Sequence, residues 1–167
     1  GGGPFRSQEL THHRRGRRSA SNRPRRAWLP HPAFDAGTAG PATQTGDGSI
    51  RAIDAIDFGR TGNWAQDAVV DGGSKTYTVD VNPGDGELKP TLAGDDAPGT
   101  PNVGNALANE VDLSVTDPSG GRHYPCTINP GSPGSPAVQT QEDHLNNLEQ
   151  GQVNSPEAGR WMIQIAG

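Results

Sequence analysis

The residues of this chain with the clearest chemical potential are oxygen donors, gathered in two stretches. Asp95, Asp96, Asn105, Asn109, Glu110 and Asp112 flank one apolar run, while Asp143, Asn146, Asn147 and Glu149 precede another. Calcium takes six to eight hard oxygens from carboxylates, amides and backbone carbonyls, often supplied by loops. Asp95, Asp96, Asn109, Glu110, Asp112, Asn147 and Glu149 are therefore the candidate ligands of a calcium site. The competing reading is an Asn/Asp turn network that pins loops by hydrogen bonds, without metal. No DxDxDG spacing occurs, so this is not an EF-hand.

Other chemistry finds less support. A Ser-His-Asp hydrolase needs a nucleophile on a sharp turn, a base and an orienting acid. The five histidines are His12, His13, His31, His123 and His144, and no serine has the glycine-flanked setting of a nucleophile elbow. His123 follows a turn on a short strand and His144 lies in a polar loop, both expected as surface histidines. Neither a P-loop, nor GxGxxG, nor HExxH is present. The single cysteine, Cys126, excludes an internal disulfide and a cysteine-based zinc site, and it has no evident base partner.

The elements that must position these residues are strands. Glu110–Thr116 alternates, with Val111, Leu113 and Val115 on one face and Asp112, Ser114 and Thr116 on the other. Asp117-Pro118-Ser119-Gly120 closes it with favourable turn chemistry, and residues 122–124 can start a partner strand. KTYTVDV (75–81) is a first strand, NPGDG (82–86) a turn, and residues 87–93 a return, which together predict a hairpin. Pro90 deletes a ladder donor and must weaken the returning strand or keep it at an edge. Residues 129–136 are loop, 139–146 irregular, and 147–153 a strand interrupted by Gly151. Residues 160–166 end the chain with Trp161, Ile163 and Ile165 inward. SIRAIDAIDF (49–58) is the one helical pattern, with Ile50, Ile53 and Ile56 on a stripe and Gly59 as the stop; so short a helix needs a neighbour. Short strands joined by Gly/Pro turns predict an all-β fold, a β-sandwich or jelly roll with one short N-terminal helix.

Composition sets limits on that fold. Leu, Ile, Val and Phe number 26 of 167 residues, and Gly plus Pro number 39, so the folded part must be loop-rich and modestly stable. Residues 1–34 carry eight arginines against one acid, Glu9, whereas residues 35–167 carry eighteen acids against six bases. The split predicts a disordered basic Arg/Gly/Pro-rich arm (1–45), a helix and linker (46–74) and an acidic β-sandwich (75–167). Nucleic-acid binding by the arm is not expected, because stacking aromatics are nearly absent and the adjoining domain is acidic. No apolar run approaches the roughly 18 residues of a membrane helix. The only methionine is Met162, which suggests a fragment or a processed product.

With these residues placed, the sequence resembles a known family. LKPTLAGDDAPGTPNVGNALANEVDLSVTDPSGGRHYP (88–125) and EDHLNNLEQGQVNSPEAGRWMIQIAG (142–167) resemble the C-terminal β-sandwich of secreted subtilisin-like serine peptidases (subtilases). The matching pattern is an L-K-V-T-L-x-W strand, an acidic Gly/Pro loop, N-D-L-D-L-x-V-x-x-P-x-G, N-N-x-E-x-V and P-x-x-G-x-W/Y-x-V-x-V. Residues 49–58 resemble the helix that closes the catalytic domain. Pro90, Gly94, Ala108, Glu110, Val111 and Gly151 replace the family's Val, Trp, Val, Asp, Leu and Val, and the smaller or awkward replacements are expected to weaken the core by ~1–4 kcal/mol each. The catalytic Asp-Ser/Thr-Gly, His-Gly-Thr and Gly-Thr-Ser-Met-Ala motifs are absent. The resemblance thus implies a non-catalytic accessory sandwich, inactive alone. It would be a monomer in the exterior or cell envelope of a bacterium, with a subtilase catalytic domain or a protein substrate as partner. A stand-alone carbohydrate- or protein-binding adhesion module is the alternative. Its platforms would come from Phe58, Trp64, Tyr77, Tyr124 and Trp161, of which Tyr77 and Trp161 are expected to face inward. A degenerate product with no independent function is a third reading.

Overall fold

The computed structural model describes residues 25–28, 41–44, 46, 52–104 and 107–167. In chain order the elements are β1 (Arg25–Trp28), α1 (Ala52–Thr61), β2 (Gln66–Val69), β3 (Ser74–Val81), β4 (Glu87–Leu88), β5 (Thr91–Asp95), β6 (Asp112–Thr116), β7 (Arg122–His123), β8 (Leu148–Gln150), β9 (Val153–Asn154) and β10 (Gly159–Ala166). The strands form two four-stranded sheets, ordered β2-β1-β5-β8 and β3-β10-β6-β7, with β4 and β9 as a separate pair. Every named pairing is antiparallel. The all-β fold with a single short helix is thus the one the alternation predicts.

One core serves both sheets. Val69 and Leu92 come from the first sheet, and Val81, Leu113, Val115, Trp161, Ile163 and Ile165 from the second, joined by Val111 just before β6. β10 is the organising strand. Its buried positions are Trp161, Ile163 and Ile165, in strict alternation with exposed neighbours, and it pairs with β3 over eight residues and with β6 over five. Trp161 is buried to 1% exposure, and its indole N–H donates to the Glu157 carbonyl at 2.8 Å, which satisfies its single polar atom.

Three expectations change. The hairpin expected between residues 75–81 and 87–93 does not form, because β3 takes β10 as its partner while β5 joins β1 and β8 in the other sheet. The Asn82–Gly86 turn therefore carries the chain from one sheet to the other. It is held by the Asp85 N–H on the Asn82 carbonyl at 3.1 Å and the Asn82 N–H on the Asp85 carboxylate at 2.8 Å. Pro90 breaks the returning run into β4 and β5, and β4 turns to β9 instead. Helix α1 passes through Gly59 and stops at Thr61, where Gly62 at φ 76° supplies the left-handed cap. Ile50 lies outside the described residues. Ile53 and Ile56 are 74% and 56% exposed, so the apolar stripe of the helix has no cover within the described residues. The third change falls in the basic arm. Arg25–Trp28 forms β1, between β2 and β5, although RRAW carries no alternation. Backbone pairing to neighbouring strands requires no side-chain pattern. The remainder of the expected disordered arm, apart from residues 41–44, lies outside the described residues.

Four of the six residues that depart from the resembled pattern form packed pairs. Pro90 and Gly151 are both buried, and a Cβ on Gly151 would stand 3.2 Å from Pro90 Cγ. The Gly151 N–H also donates to the Pro90 carbonyl at 2.9 Å. A Cβ on Gly94 would meet Val111 Cγ2 at 3.1 Å. The small residue on one strand thus accommodates the bulky one opposite, and neither site offers room for the larger residue of the family pattern. Gly151→Val is accordingly expected to destabilise the protein by about 1–3 kcal/mol through overpacking. Pro90→Ala in the same chain should recover part of that loss, as a double-mutant cycle by urea denaturation will show. Simple additivity of the two changes would contradict the pairing.

Candidate functional site

The site lies where the start of β6 meets the loop that leads into β8. Glu110 and Asp112 alternate along the approach to β6, so both carboxylates project from one side of it. His144, from the irregular 139–147 segment, brings Nδ1 to Glu110 Oε1 and to Asp112 Oδ1, the latter at 3.2 Å. The three ligand-type atoms lie within 4.8 Å of one another. On the far side of the ring, Nε2 stands 3.9 Å from Glu142 Oε2, and Arg122 holds Glu142 at 3.0 Å. Asp143 is buried and shapes this segment. Its two oxygens accept from the Leu145 N–H at 3.0 Å and the Asn146 amide at 2.8 Å, which turns the chain so that His144 faces β6.

Behind this cluster, in the interior, is Glu149. It stands on β8 at 1% exposure, and its Oε2 accepts the Leu113 N–H of β6 at 2.8 Å. Its Oε1 is buried with no hydrogen-bond partner among the described residues. Burial pushes this carboxyl up to about 9; the Leu113 N–H works against the shift, while the charges of Asp112, Asp143 and Glu110 add to it. Asp112 is also raised, by burial first and then by Glu110 and Glu142, with His144 opposing. For His144, burial alone acts downward, but Glu110, Asp112 and Glu142 together outweigh it and the imidazole is raised.

Of the seven expected calcium ligands the structure brings two together, Glu110 and Asp112, with His144 as the third member of their cluster. The others are engaged elsewhere. Asp96 accepts the backbone N–H groups of Ala97, Ala108 and Asn109 and the Asn109 amide, at 2.8 to 2.9 Å, and so pins the long loop between β5 and β6. Asn147 exchanges bonds with Gly94, receiving its N–H at 2.6 Å and donating its amide to the Gly94 carbonyl at 3.2 Å. Asp95 ends β5 and is exposed. For these residues the turn-network reading describes the geometry, and only Glu110 and Asp112 converge as a donor set would. Sequence reasoning assigned His144 to the surface. Its partners are 32 and 34 positions away, a separation at which no local spacing signals the contact.

His123 forms a second pair. Its Nε2 lies 3.1 Å from Asp117 Oδ2, and its ring leans on Trp161 at 5.3 Å between centroids. The His123 bond first and the Gly121 N–H second hold the Asp117 carboxyl below its ordinary value. The pair closes the β6–β7 turn, where the Gly121 N–H donates to Asp117 Oδ1 at 2.7 Å.

A groove of about 620 Å³ opens between the end of α1, β3 and the β4–β5 segment, with Phe58, Trp64 and Tyr77 among its lining residues. Asp67 sits beside Tyr77, accepting its hydroxyl at 3.3 Å and the Lys75 ammonium at 3.0 Å.

No protein-family model matches this chain, and no curated protein matches it either.

The raised Glu149 carboxyl makes stability depend on pH. A glutamate in the unfolded chain releases its proton near 4.5, whereas the folded protein keeps it to about 9. The stability this group confers is therefore complete below the unfolded value and is lost as pH rises through the folded one. Glu149→Gln cannot ionise, so its urea midpoint should decline less between about pH 5 and 9 than that of the parent chain. An equally steep decline in the variant would place the dependence elsewhere.

Proposed function

We propose that this chain is a non-catalytic β-sandwich that accompanies a subtilisin-like serine peptidase outside the cell, where it stabilises or positions the catalytic domain or its substrate. The observation that carries the reading is the bond between Leu113 and Glu149. It ties DLSVTDPSG to NNLEQ, the two blocks on which the resemblance rests. The third block supplies Trp161, Ile163 and Ile165 to the same core. Residues that stand far apart in the sequence and share a family pattern therefore have one structural task. Helix α1 adds a second line of support. The family's corresponding helix closes the catalytic domain, and here Ile53 and Ile56 form an exposed apolar stripe suited to such a neighbour. A divalent cation at the Glu110–Asp112–His144 cluster would further stabilise such a module by binding only the folded state. No helix among the described residues is long and apolar enough to cross a membrane.

One observation favours a second reading, a carbohydrate-binding module. Phe58, Trp64 and Tyr77 line a single groove with Asp80, Asn82 and Asp85, an aromatic platform with polar neighbours of the kind that sugars use. Binding on a glycan array that is lost in Trp64→Ala would favour this reading over the first.

The peptidase reading is tested with a chimaera that places the chain after a subtilisin-like catalytic domain stripped of its own C-terminal sandwich. The chimaera is expected to have a longer half-life at elevated temperature than the stripped enzyme, and Ile53→Asp with Ile56→Asp should abolish the gain. An unchanged half-life would overturn the reading. Hydrolysis of fluorogenic peptides by the chain alone would do so too.

A further inference from the structure

We propose that Glu110, Asp112 and His144 form a binding site for a borderline divalent cation of the zinc type. The assignment deepens the cation part of the proposed function and does not rest on the peptidase lineage. Three features carry it. The first is convergence: two carboxylate oxygens from the approach to β6 aim at one imidazole nitrogen, and the three atoms lie within 4.8 Å of one another. His144 Nδ1 and Asp112 Oδ1, at 3.2 Å, already stand near the about 3.3 Å edge of a tetrahedron built on zinc bonds of 2.0–2.1 Å. One imidazole nitrogen between two carboxylates occupies the place of a doubly charged ion, which would neutralise both.

The second feature is the orphaned oxygen of Glu149. At 1% exposure, with Oε2 engaged by Leu113, this side chain leaves Oε1 in the interior without a hydrogen-bond partner among the described residues. Buried polar atoms are nearly always satisfied. An interior acceptor left unpaired behind the carboxylate cluster is a second place at which a positive species would be accommodated.

The third feature lies behind the imidazole. Metal-ligating histidines usually offer their second nitrogen to a carboxylate, which fixes the ring and strengthens the ligand. His144 Nε2 faces Glu142 at 3.9 Å, and Arg122 anchors that glutamate. A small rotation of either side chain would close the bond. Two carboxylates and one imidazole, with room for water on the exposed side of His144, are a donor set for zinc and its neighbours among the borderline metals. Calcium, which seeks many oxygens and seldom an imidazole, is served less well by them.

The test uses the full chain freed of metal by chelation. Zinc chloride at about a hundred times its dissociation constant should raise the melting temperature by about 5–10 °C, and calcium chloride at the same concentration by much less. His144→Ala, at a half-exposed position, and Asp112→Asn should each weaken zinc binding at least about tenfold in calorimetric titration, with the fold of each variant checked by circular dichroism. Replacing His12, His13 and His31 by Ala should leave the tightest site intact. The proposal is overturned if zinc gives no shift or if His144→Ala keeps the full affinity. Loss of the shift in the triple variant would assign the ion to residues 1–45 and also overturn it. A calcium shift as large as that of zinc, surviving His144→Ala, would likewise exclude it and leave a pure oxygen site. None of these results bears on the chimaera, so failure here and failure of the peptidase reading are separable.

Discussion

The Leu113 N–H donates to Glu149 Oε2 across the two sheets, and much of the architecture follows from enclosing that carboxyl. A charged carboxylate in such a place would cost several kcal/mol in lost hydration. In the absence of a cation a neutral one costs far less to bury. The surroundings press toward the neutral form, because Asp112, Asp143 and Glu110 add their charges to the effect of burial. The β8 strand can therefore carry an acid beside Leu92 and Leu113 without opening the core.

Around this contact the small apolar inventory is used economically. Twenty-six Leu, Ile, Val and Phe residues are few for a chain of this length, and nine buried side chains form the shared core. The rest of the order comes from polar pins on the loops. Asp96 gathers three backbone N–H groups, Asp85 closes the crossing turn, and Asp117 with His123 locks the end of β6. Such pins satisfy backbone donors that a loop would otherwise leave to water. They also explain why so many acids occur in a protein whose candidate site uses only a few of them.

The sequence showed the period-2 runs of β3, β6 and β10 plainly, since each alternates against a polar face and the pleat admits only one register. It also showed the break at Pro90 and the partnership of β6 with β7. Partner choice was less legible. A hairpin seemed natural for adjacent runs joined by a strong turn, but β10 offered β3 an eight-residue ladder, and long pairings outweigh local ones once the sheets stack. β1 was invisible because its role rests on backbone bonds. At the site, the alternation of Glu110 and Asp112 was readable, whereas His144 was not, because nothing within one strand or turn links it to them. Pro90 with Gly151, and Gly94 with Val111, looked like separate losses in the linear pattern. In three dimensions each is half of a fitted contact.

The position of β1 bears on where this domain begins. Composition draws a sharp line near residue 46, with arginine-rich chain before it and acidic chain after. Arg25–Trp28 nevertheless lies inside the first sheet, with β2 on one flank and β5 on the other. A chain cut at the compositional line would leave two unpaired strand edges where the native sheet is continuous, and such edges invite pairing with other molecules. The basic segment is thus partly a seal on the acidic domain, and a soluble recombinant form of the sandwich must start upstream of Arg25.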